Sequence, residues 1–285
     1  MIYLLQIKWA PSEILFQIGS FGLHYYSLMF VIAFSLGYKI VEKYFVEENV
    51  SKDYLEPLFV YMVLSTLLGA RLGEVFFYSW DYYKNNLLEI ILPIKRAAGE
   101  SAIFGLIEGW KFTGYTGFAS HGAAIAIIAT MYWYSRKHLN KPLLFILDRM
   151  AIVSALGAAF VRFGNFFNSE IYGKPTGSNI GVIFKSKDAE MLPRHPTQLY
   201  EALCYLILFF VLWKFYWKTD KKQKTGFLFG VFMIGLWSAR FFIEFFKEAQ
   251  VDGREDWILN SLNTGQVLSI PLILVGLWLV FRNNN

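Results

Sequence analysis

The sequence AIVSALGAAFVRFGNFFNSEIYGK, residues 151–174, joins an apolar run to a dense polar cluster. Its first ten residues are small or apolar, which is typical of a helix buried in lipid or protein. Arg162, Asn165, Asn168 and Glu170 follow within nine positions, spaced by aromatic residues. Ionisable side chains in membrane spans are costly and usually face the protein interior at a functional site. The sequence therefore predicts a membrane helix that ends at such a site.

The rest of the chain is equally apolar, with hydrophobic residues making up 55% of its 285 positions. Such a composition is too apolar for an ordinary soluble domain. Seven apolar segments have about the length that spans a bilayer. They cover residues 22–45, 57–80, 118–135, 143–163, 199–217, 226–246 and 265–282. We predict an all-α polytopic membrane protein with seven transmembrane helices, forming one membrane-embedded domain over residues 1–285.

The loops between these segments differ in length and in basic density. Loops 46–56, 135–142 and 214–225 are short, and the last two are rich in Lys and Arg. The positive-inside rule places short basic loops in the cytoplasm. The N-terminus is then outside and the C-terminus inside. The long outer loops, 81–117 and 164–198, exceed the length of simple connectors and should carry structure of their own.

With this orientation, most polar residues of the spans fall at one level, near the outer face. They are His24, Tyr26, Arg71, Glu74, His121, Arg162, Asn165, Asn168, Glu170, Arg194, His195, Gln198, Tyr200, Glu201, Arg240 and Glu244. Five spans and two loops contribute to this set. Their convergence predicts a single functional site.

Several of these residues also have simpler interpretations. A lone arginine at a helix end, such as Arg162, can extend to the lipid headgroups. Arg240 and Glu244 are spaced i, i+4 and can form an ion pair, although arginine ahead of glutamate is the weaker order on a helix. His121 lies among tiny residues that allow close helix packing. Glu201 can simply cap its helix.

The chemistry of the set favours an anionic lipid headgroup as ligand. Guanidinium groups bind phosphate bidentately and stay charged in a low dielectric. A nearby histidine and glutamate are suited to moving a proton from a nucleophile. No metal-ligand spacing and no phosphate-binding glycine-rich loop is evident, so we predict no metal and no cofactor. The net charge of +5 is modest and fits loop bias rather than nucleic-acid binding.

At this point the sequence resembles a known family. VRFGNFFNSEIYG, residues 161–173, is similar to the signature G-R-x-G-N-F-x-N-x-E-x-x-G of the prolipoprotein diacylglyceryl transferases. Further segments resemble the family in the same order: IGSFGLHYYSLMF, GARLGEVFFY, SHGAAIA, LPRHPTQLYEA, RFFIEFF and TGQVLSIPLI. Two positions depart from it, Val161 for glycine and Leu236 where a tyrosine is expected.

The resemblance implies a bacterial inner-membrane enzyme with its active site toward the outer face. It would move the diacylglyceryl group of phosphatidylglycerol to the lipobox cysteine of a prolipoprotein, forming a thioether and releasing glycerol phosphate. It implies that Arg162 and Arg240 hold the phosphate and that His121 deprotonates the thiol, with Glu170 or His24 able to share the proton. We assign catalytic roles to His121, Arg162, Arg240 and Glu170, and substrate binding to Tyr26, His24, Arg71, Asn165, Asn168, Gly173, Glu244 and His195.

Other classes of function fit the sequence less well. A seven-span transporter or flippase is disfavoured because no internal repeat is evident and the polar groups lie at one face rather than at the midplane. A phospholipid carrier without chemistry remains the alternative, and it predicts lipid binding with no covalent product.

Overall fold

The computed structural model describes residues 6–18, 21–92, 94–102, 107–113, 117, 119–248 and 262–282. The strands are β1 Gln6–Trp9, β2 Ile14–Ile18, β3 Phe21–His24, β4 Ile94–Ala102, β5 Ile107–Phe112 and β6 Gly181–Phe184. The helices are α1 Tyr25–Glu47, α2 Leu55–Phe77, α3 Trp80–Tyr83, α4 Leu88–Ile91, α5 Ser120–Tyr134, α6 Leu143–Phe167, α7 Thr197–Lys218, α8 Phe227–Ile243 and α9 Thr264–Phe281. The chain divides into two compact units, unit 1 (1–48 and 144–285) and unit 2 (49–143).

The described part of the chain is mostly helical, and each predicted span overlaps one of the helices α1, α2 and α5–α9. Within that part, four helical segments are long and apolar enough to cross a membrane: Lys52–Phe77, Leu143–Phe167, Thr197–Lys218 and Phe227–Phe246. Large apolar side chains are exposed on the helices, such as Leu67 of α2 at 52% and Phe210 of α7 at 63%. An apolar surface of this kind fits contact with lipid. The chain is a polytopic membrane protein, while seven spans and their orientation stay predictions.

The predicted all-α fold is confirmed for most of the described residues, but the long outer loops contain strands that were not predicted. Loop 81–117 holds the antiparallel pair β4–β5, and loop 164–198 holds β6, which pairs in parallel with β1. Structure in both loops was expected from their length, and this is confirmed. Pairing of two strands gives hydrogen-bond partners to backbone N–H and C=O groups that lack them in a long irregular loop. The single-domain prediction for 1–285 stays untested.

Unit 1 is built around α6, α7, α8 and α9. Its core includes the fully buried Ile152, Leu212 and Tyr216, with Phe227 packed against them. Such large apolar side chains hold the helices at fixed positions. The helix ends that carry the polar residues of unit 1 are thereby fixed as well.

A second, charged network of unit 1 involves residues that were not singled out from the sequence. Asp148 is fully buried in α6, and its carboxylate accepts hydrogen bonds from the backbone N–H groups of Gly226 (2.6 Å) and Phe229 (2.8 Å) at the start of α8. Beside it, Arg149 forms an ion pair with Glu48 at 2.7 Å. The N-terminal N–H groups of a helix have no partner within the helix, so Asp148 caps α8 from a neighbouring helix.

We expect Asp148→Ala to destabilise the protein by about 3 kcal/mol, since two charge-assisted hydrogen bonds are lost and two N–H groups stay buried. Asp148→Asn keeps an acceptor oxygen and should cost less. The midpoint of thermal unfolding in detergent measures both effects. Asp220→Ala, at an exposed aspartate, is the control, and an equal midpoint for the two alanine variants would contradict the capping role.

Unit 2 contains a close crossing of α2 and α5. A Cβ atom added at Gly73 would lie 2.7 Å from Cα of Gly122, and one added at Gly122 would overlap the carbonyl oxygen of Gly69. Glycines at such a crossing let two helix backbones touch. The small residues around His121 therefore include one, Gly122, that serves helix packing.

Candidate active site

The polar residues at the end of α6 form one hydrogen-bonded chain. Arg162 donates from Nη1 to Oδ1 of Asn165 at 3.0 Å. Asn165 donates in turn from Nδ2 to Oε1 of Glu170 at 2.8 Å. Asn168 donates to the same carboxylate oxygen at 3.3 Å. The structure thus brings together the four polar residues that follow the apolar run in the sequence.

The backbone around Glu170 has an unusual conformation. Ser169 and Ile171, on either side, have φ angles of 53° and 59°. A β-branched residue at positive φ is a strained outlier, and such strain tends to occur at functional sites. The first turn of α7 holds this turn in place, because Gln198 donates from Nε2 to the carbonyl of Glu170 at 2.7 Å and Thr197 donates to that of Ile171 at 2.9 Å.

Tyr26 of α1 lies against the same end of α6. A Cβ atom at Gly164 would be 2.7 Å from its ring, so glycine is what lets the tyrosine approach the helix. The Tyr26 hydroxyl is close enough to interact with Asn165, Glu170 and Arg162. Its predicted membership of the site is consistent with this position.

A row of alternating charges continues from Arg162 into α7 and the end of α8. Nε of Arg162 lies 2.7 Å from Oε2 of Glu201, and Oε1 of Glu201 lies 3.0 Å from Nζ of Lys247. Lys247 also approaches Glu244 at 3.5 Å. Glu201 is fully buried, so it does not serve as a solvated helix cap. Because both cations contact it, Glu201 joins three helices at the site.

Arg162 keeps part of its hydrogen-bonding capacity. A guanidinium has five N–H donors. In the described part of the chain, one of them donates to Asn165, while Glu201 lies within ion-pair distance of Nε and its Oε2 has no hydrogen-bond partner. The N–H groups that Asn165 does not use are available for contact with a phosphate. The side chain is 15% exposed, so a ligand has access to it.

Arg240 makes no hydrogen bond or ion pair with the described part of the chain, and its guanidinium lies 5.8 Å from the centre of the Trp237 ring. Arg240 does not form the ion pair with Glu244 that the i, i+4 spacing allows, since Glu244 instead approaches Lys247. Glu244 also abuts Gly265 at the start of α9, where a Cβ atom would be 2.8 Å from the carboxylate carbon. Arg240 thus contributes a positive charge that Glu244 does not neutralise directly.

Gly173 and His195 belong to the loop that precedes α7. The N–H of Gly173 donates to the carbonyl of His195 at 2.8 Å, and a Cβ atom at Gly173 would be 2.5 Å from the carbonyl oxygen of Phe246. His195 Nδ1 lies 3.2 Å from the hydroxyl of Tyr200. Here glycine serves close backbone packing between the loop and the end of α8.

The same loop is fixed by the buried Arg194, which was noted from the sequence without an assigned role. Its guanidinium binds both oxygens of Asp188, at 2.7 and 2.9 Å, and also contacts Glu190 and Glu248. The hydrogen bonds from Arg194 hold the pKa of Asp188 below its usual value. This ion pair stabilises the loop mainly above the usual pKa of an aspartate, and its contribution is lost as the pH falls through the lowered value.

The remaining predicted residues are spread over both units. In unit 2, His121 is exposed in the first turn of α5, and Arg71 binds the carbonyls of Glu89 (2.5 Å) and Ile90 (3.3 Å). Arg71 thus has a structural role within its own unit. In unit 1, His24 is exposed at the residue before α1. The convergence of His121 and Arg71 with the residues of unit 1 stays a prediction.

The described residues contain no group of three or more His, Cys, Asp or Glu side chains placed to hold a metal ion. The polar groups that unit 1 brings together at the end of α6 are cations, carboxylates and amides. Cations beside an orienting carboxylate are suited to binding an anion and to stabilising negative charge that develops on it.

Comparison with known proteins identifies the family. Residues 13–282 match the family model described as prolipoprotein diacylglyceryl transferase. A phosphatidylglycerol–prolipoprotein diacylglyceryl transferase of Bacteroides fragilis is 39% identical over 98% of this chain and 95% of its own length. Relatives of the same name from Chloroherpeton thalassium and Tolumonas auensis are 38% and 35% identical, over 97% and 95% of this chain and 94% and 95% of their own lengths. The resemblance noted in the sequence is confirmed, and so is the enzyme class. The chain belongs to the prolipoprotein diacylglyceryl transferase family.

Proposed function

We propose that this chain transfers the diacylglyceryl group of phosphatidylglycerol to the lipobox cysteine of a prolipoprotein, the first step of bacterial lipoprotein modification. The observation that carries the proposal is that unit 1 brings two guanidinium groups, Arg162 and Arg240, near the same residue, Lys247. Arg162 has N–H groups left for a bidentate contact, and Arg240 has no anionic partner in the described part of the chain. A phosphodiester supplies the anion that such a pair of guanidinium groups binds.

In the reaction, a bond forms between the cysteine sulfur and the glyceryl carbon while the bond from that carbon to the phosphate oxygen breaks. The electron pair leaves with the oxygen, so the departing glycerol phosphate gains a negative charge. Arg162 and Arg240 stabilise this charge as it grows, and such stabilisation lowers the barrier because it is stronger in the transition state. The thiol proton goes to a base, since a free thiol is mostly protonated at neutral pH.

The base is His121, with Glu170 and His24 as the other groups able to take the proton. A histidine suits this role because its ordinary pKa lies near neutral pH. Glu170 accepts hydrogen bonds from Asn165 and Asn168, which hold its carboxylate in place at the site. We assign Glu170 to the site on these contacts and His121 on the resemblance.

The glycerol headgroup binds near the end of α6. Oxygen atoms of Asn168, Ser169 and Gln198 are buried there without a hydrogen-bond partner in the described part of the chain. The NH2 groups of Asn168 and Gln198 already donate hydrogen bonds to Glu170, so the two amide oxygens remain as acceptors beside it. Hydroxyl donors such as those of glycerol satisfy atoms of this kind once a side chain turns toward them. Tyr26, Glu244, Gly173, His195 and Arg71 complete the predicted substrate-binding set.

We place the enzyme in the bacterial cytoplasmic membrane with seven spans, its N-terminus outside and its active site toward the outer face. The short basic loops support this orientation. A lipobox cysteine becomes available on that side after export, and phosphatidylglycerol reaches the site from the surrounding lipid. The partners are thus a membrane lipid and a secreted precursor, with no role for nucleic acid.

The test is an assay of the purified full chain in detergent with phosphatidylglycerol and a synthetic lipobox peptide. Mass spectrometry of the peptide should show the gain of one diacylglyceryl group. We expect His121→Ala to lower the rate by a factor of about 10² to 10⁴, the usual contribution of a general base. Lipid binding without a mass gain would instead indicate the phospholipid carrier.

The control for the base is His138→Ala in the same helical region of unit 2, outside the predicted site. Full activity of His121→Ala would move the base role to Glu170 or His24 and leave the transferase intact. The activity of His121→Ala therefore tests which residue is the base, whereas the mass gain with the wild-type protein tests whether it is the transferase.

A further inference from the structure

Lys247 is a buried lysine for which no role is predicted from the sequence. It follows the short helical turn Glu244–Phe246 at the end of α8, and its exposed fraction is 8%. Its ammonium lies 3.0 Å from Oε1 of Glu201 and 3.5 Å from Oε2 of Glu244. Buried lysines are rare unless they are paired. Lys247 lies next to Glu201, the ion-pair partner of Arg162, so its burial points to a role at the site.

Placing an ammonium here is energetically unfavourable in itself. Burial lowers the pKa of Lys247, and the nearby Arg162 and Arg240 lower it further, while Glu201 and Glu244 act in the opposite direction. An apolar side chain of similar length would avoid this cost. The lysine therefore serves the neighbouring carboxylates rather than packing alone.

The geometry identifies Glu201 as the group through which Lys247 acts. Each oxygen of the Glu201 carboxylate contacts a different cation, Oε2 with Arg162 at 2.7 Å and Oε1 with Lys247 at 3.0 Å. Because Glu201 is fully buried, no solvent competes for either oxygen. The two cations therefore fix the carboxylate through separate oxygens.

Resting on the proposed function, we propose that Lys247 is a positioning residue for the transfer, since its ammonium holds Glu201 at the place where Glu201 orients the guanidinium of Arg162 toward the lipid phosphate. A guanidinium fixed in advance stabilises the growing charge without having to reorganise. Loss of Lys247 leaves a buried carboxylate with one cation, which then competes with the phosphate for Arg162. The effect should appear mainly in kcat, because binding of the lipid also draws on Arg240.

The experiment measures kcat and KM for phosphatidylglycerol with the full chain and four variants: Lys247→Met, Lys247→Arg, Glu201→Gln and Lys247→Met combined with Glu201→Gln. We expect Lys247→Met to lower kcat about 100-fold, the size of effect seen when supporting groups of a site are removed, with a smaller change in KM. Lys247→Arg keeps the charge and should stay within about 10-fold of the wild type. In the Glu201→Gln background, Lys247→Met should add less than about 3-fold, because the charged Glu201 carboxylate through which Lys247 acts is already removed.

Thermal unfolding midpoints and lipid binding show whether each variant folds, and Lys185→Met, at an exposed lysine, is the control. Equal losses for Lys247→Met and Lys247→Arg, or additive losses in the double variant, would overturn the positioning role. Wild-type activity in Lys247→Met would also overturn it. A wild-type protein that binds lipid and forms no thioether would instead overturn the proposed function itself.

Discussion

Arg162→Ala is expected to lower kcat/KM for diacylglyceryl transfer by a factor of about 10³, the size of loss seen when a group that stabilises transition-state charge is removed. The variant loses the donors that face the phosphate and frees Asn165 from its contact with the guanidinium. Folding should persist, because Glu201 keeps Lys247 as its partner. The measurement is the mass gain of a lipobox peptide over time.

Arg162→Lys is the matched variant, since it keeps the charge but lacks the planar fork. We expect it to retain partial activity, between the wild type and the alanine variant. If Arg162→Ala stayed within tenfold of the wild type, the phosphate would have to bind elsewhere. Arg240 would then be the first residue to examine.

Gly122→Ala is expected to destabilise the protein by about 3 kcal/mol through overpacking, or to prevent its purification as a folded protein. The added methyl group would overlap the carbonyl of Gly69 and lie 2.5 Å from Cα of Gly73. Neither neighbour is a flexible side chain, so the two helix backbones must separate. Helix propensity alone favours alanine over glycine by about 1 kcal/mol within a helix. The expected loss of stability is therefore opposite to the effect of helix propensity.

The same substitution at Gly37 of α1 is the control, because a Cβ atom there would lie 3.8 Å from the nearest atom, in Val153. We expect Gly37→Ala to keep or slightly raise the midpoint of thermal unfolding in detergent. A midpoint for Gly122→Ala equal to that of Gly37→Ala would contradict the close crossing of α2 and α5.

Much of the helical organisation could be predicted from the sequence, because apolar length alone marks a membrane helix. The polar set at the end of α6 was equally accessible, since Arg162, Asn165 and Glu170 stand close together in sequence at the end of an apolar segment. The strands of the long loops were not predicted in type. β1 and β6 pair across more than 170 residues, and no local pattern carries that information.

The contributions of Glu201 and Lys247 could not be inferred in the same way. Each stands at a helix end, where a charged residue is usually solvated, and only the folded chain shows that both are buried. Asp148 was missed for a related reason, because its partners are backbone N–H groups of α8 rather than another charge. A partner that is distant along the chain produces no recognisable spacing of residues in the sequence.

The ion pair between Arg162 and Glu201 also has a consequence for biosynthesis. The two residues lie on α6 and α7, successive helices that are each apolar enough to cross the bilayer. α6 emerges from the ribosome before α7, so its arginine enters the translocation machinery before its carboxylate partner exists. A charged residue lowers the tendency of a lone segment to insert, and the neighbouring helix then offsets this penalty. The contact that orients the site in the finished enzyme thus also couples the insertion of one helix to the arrival of the next.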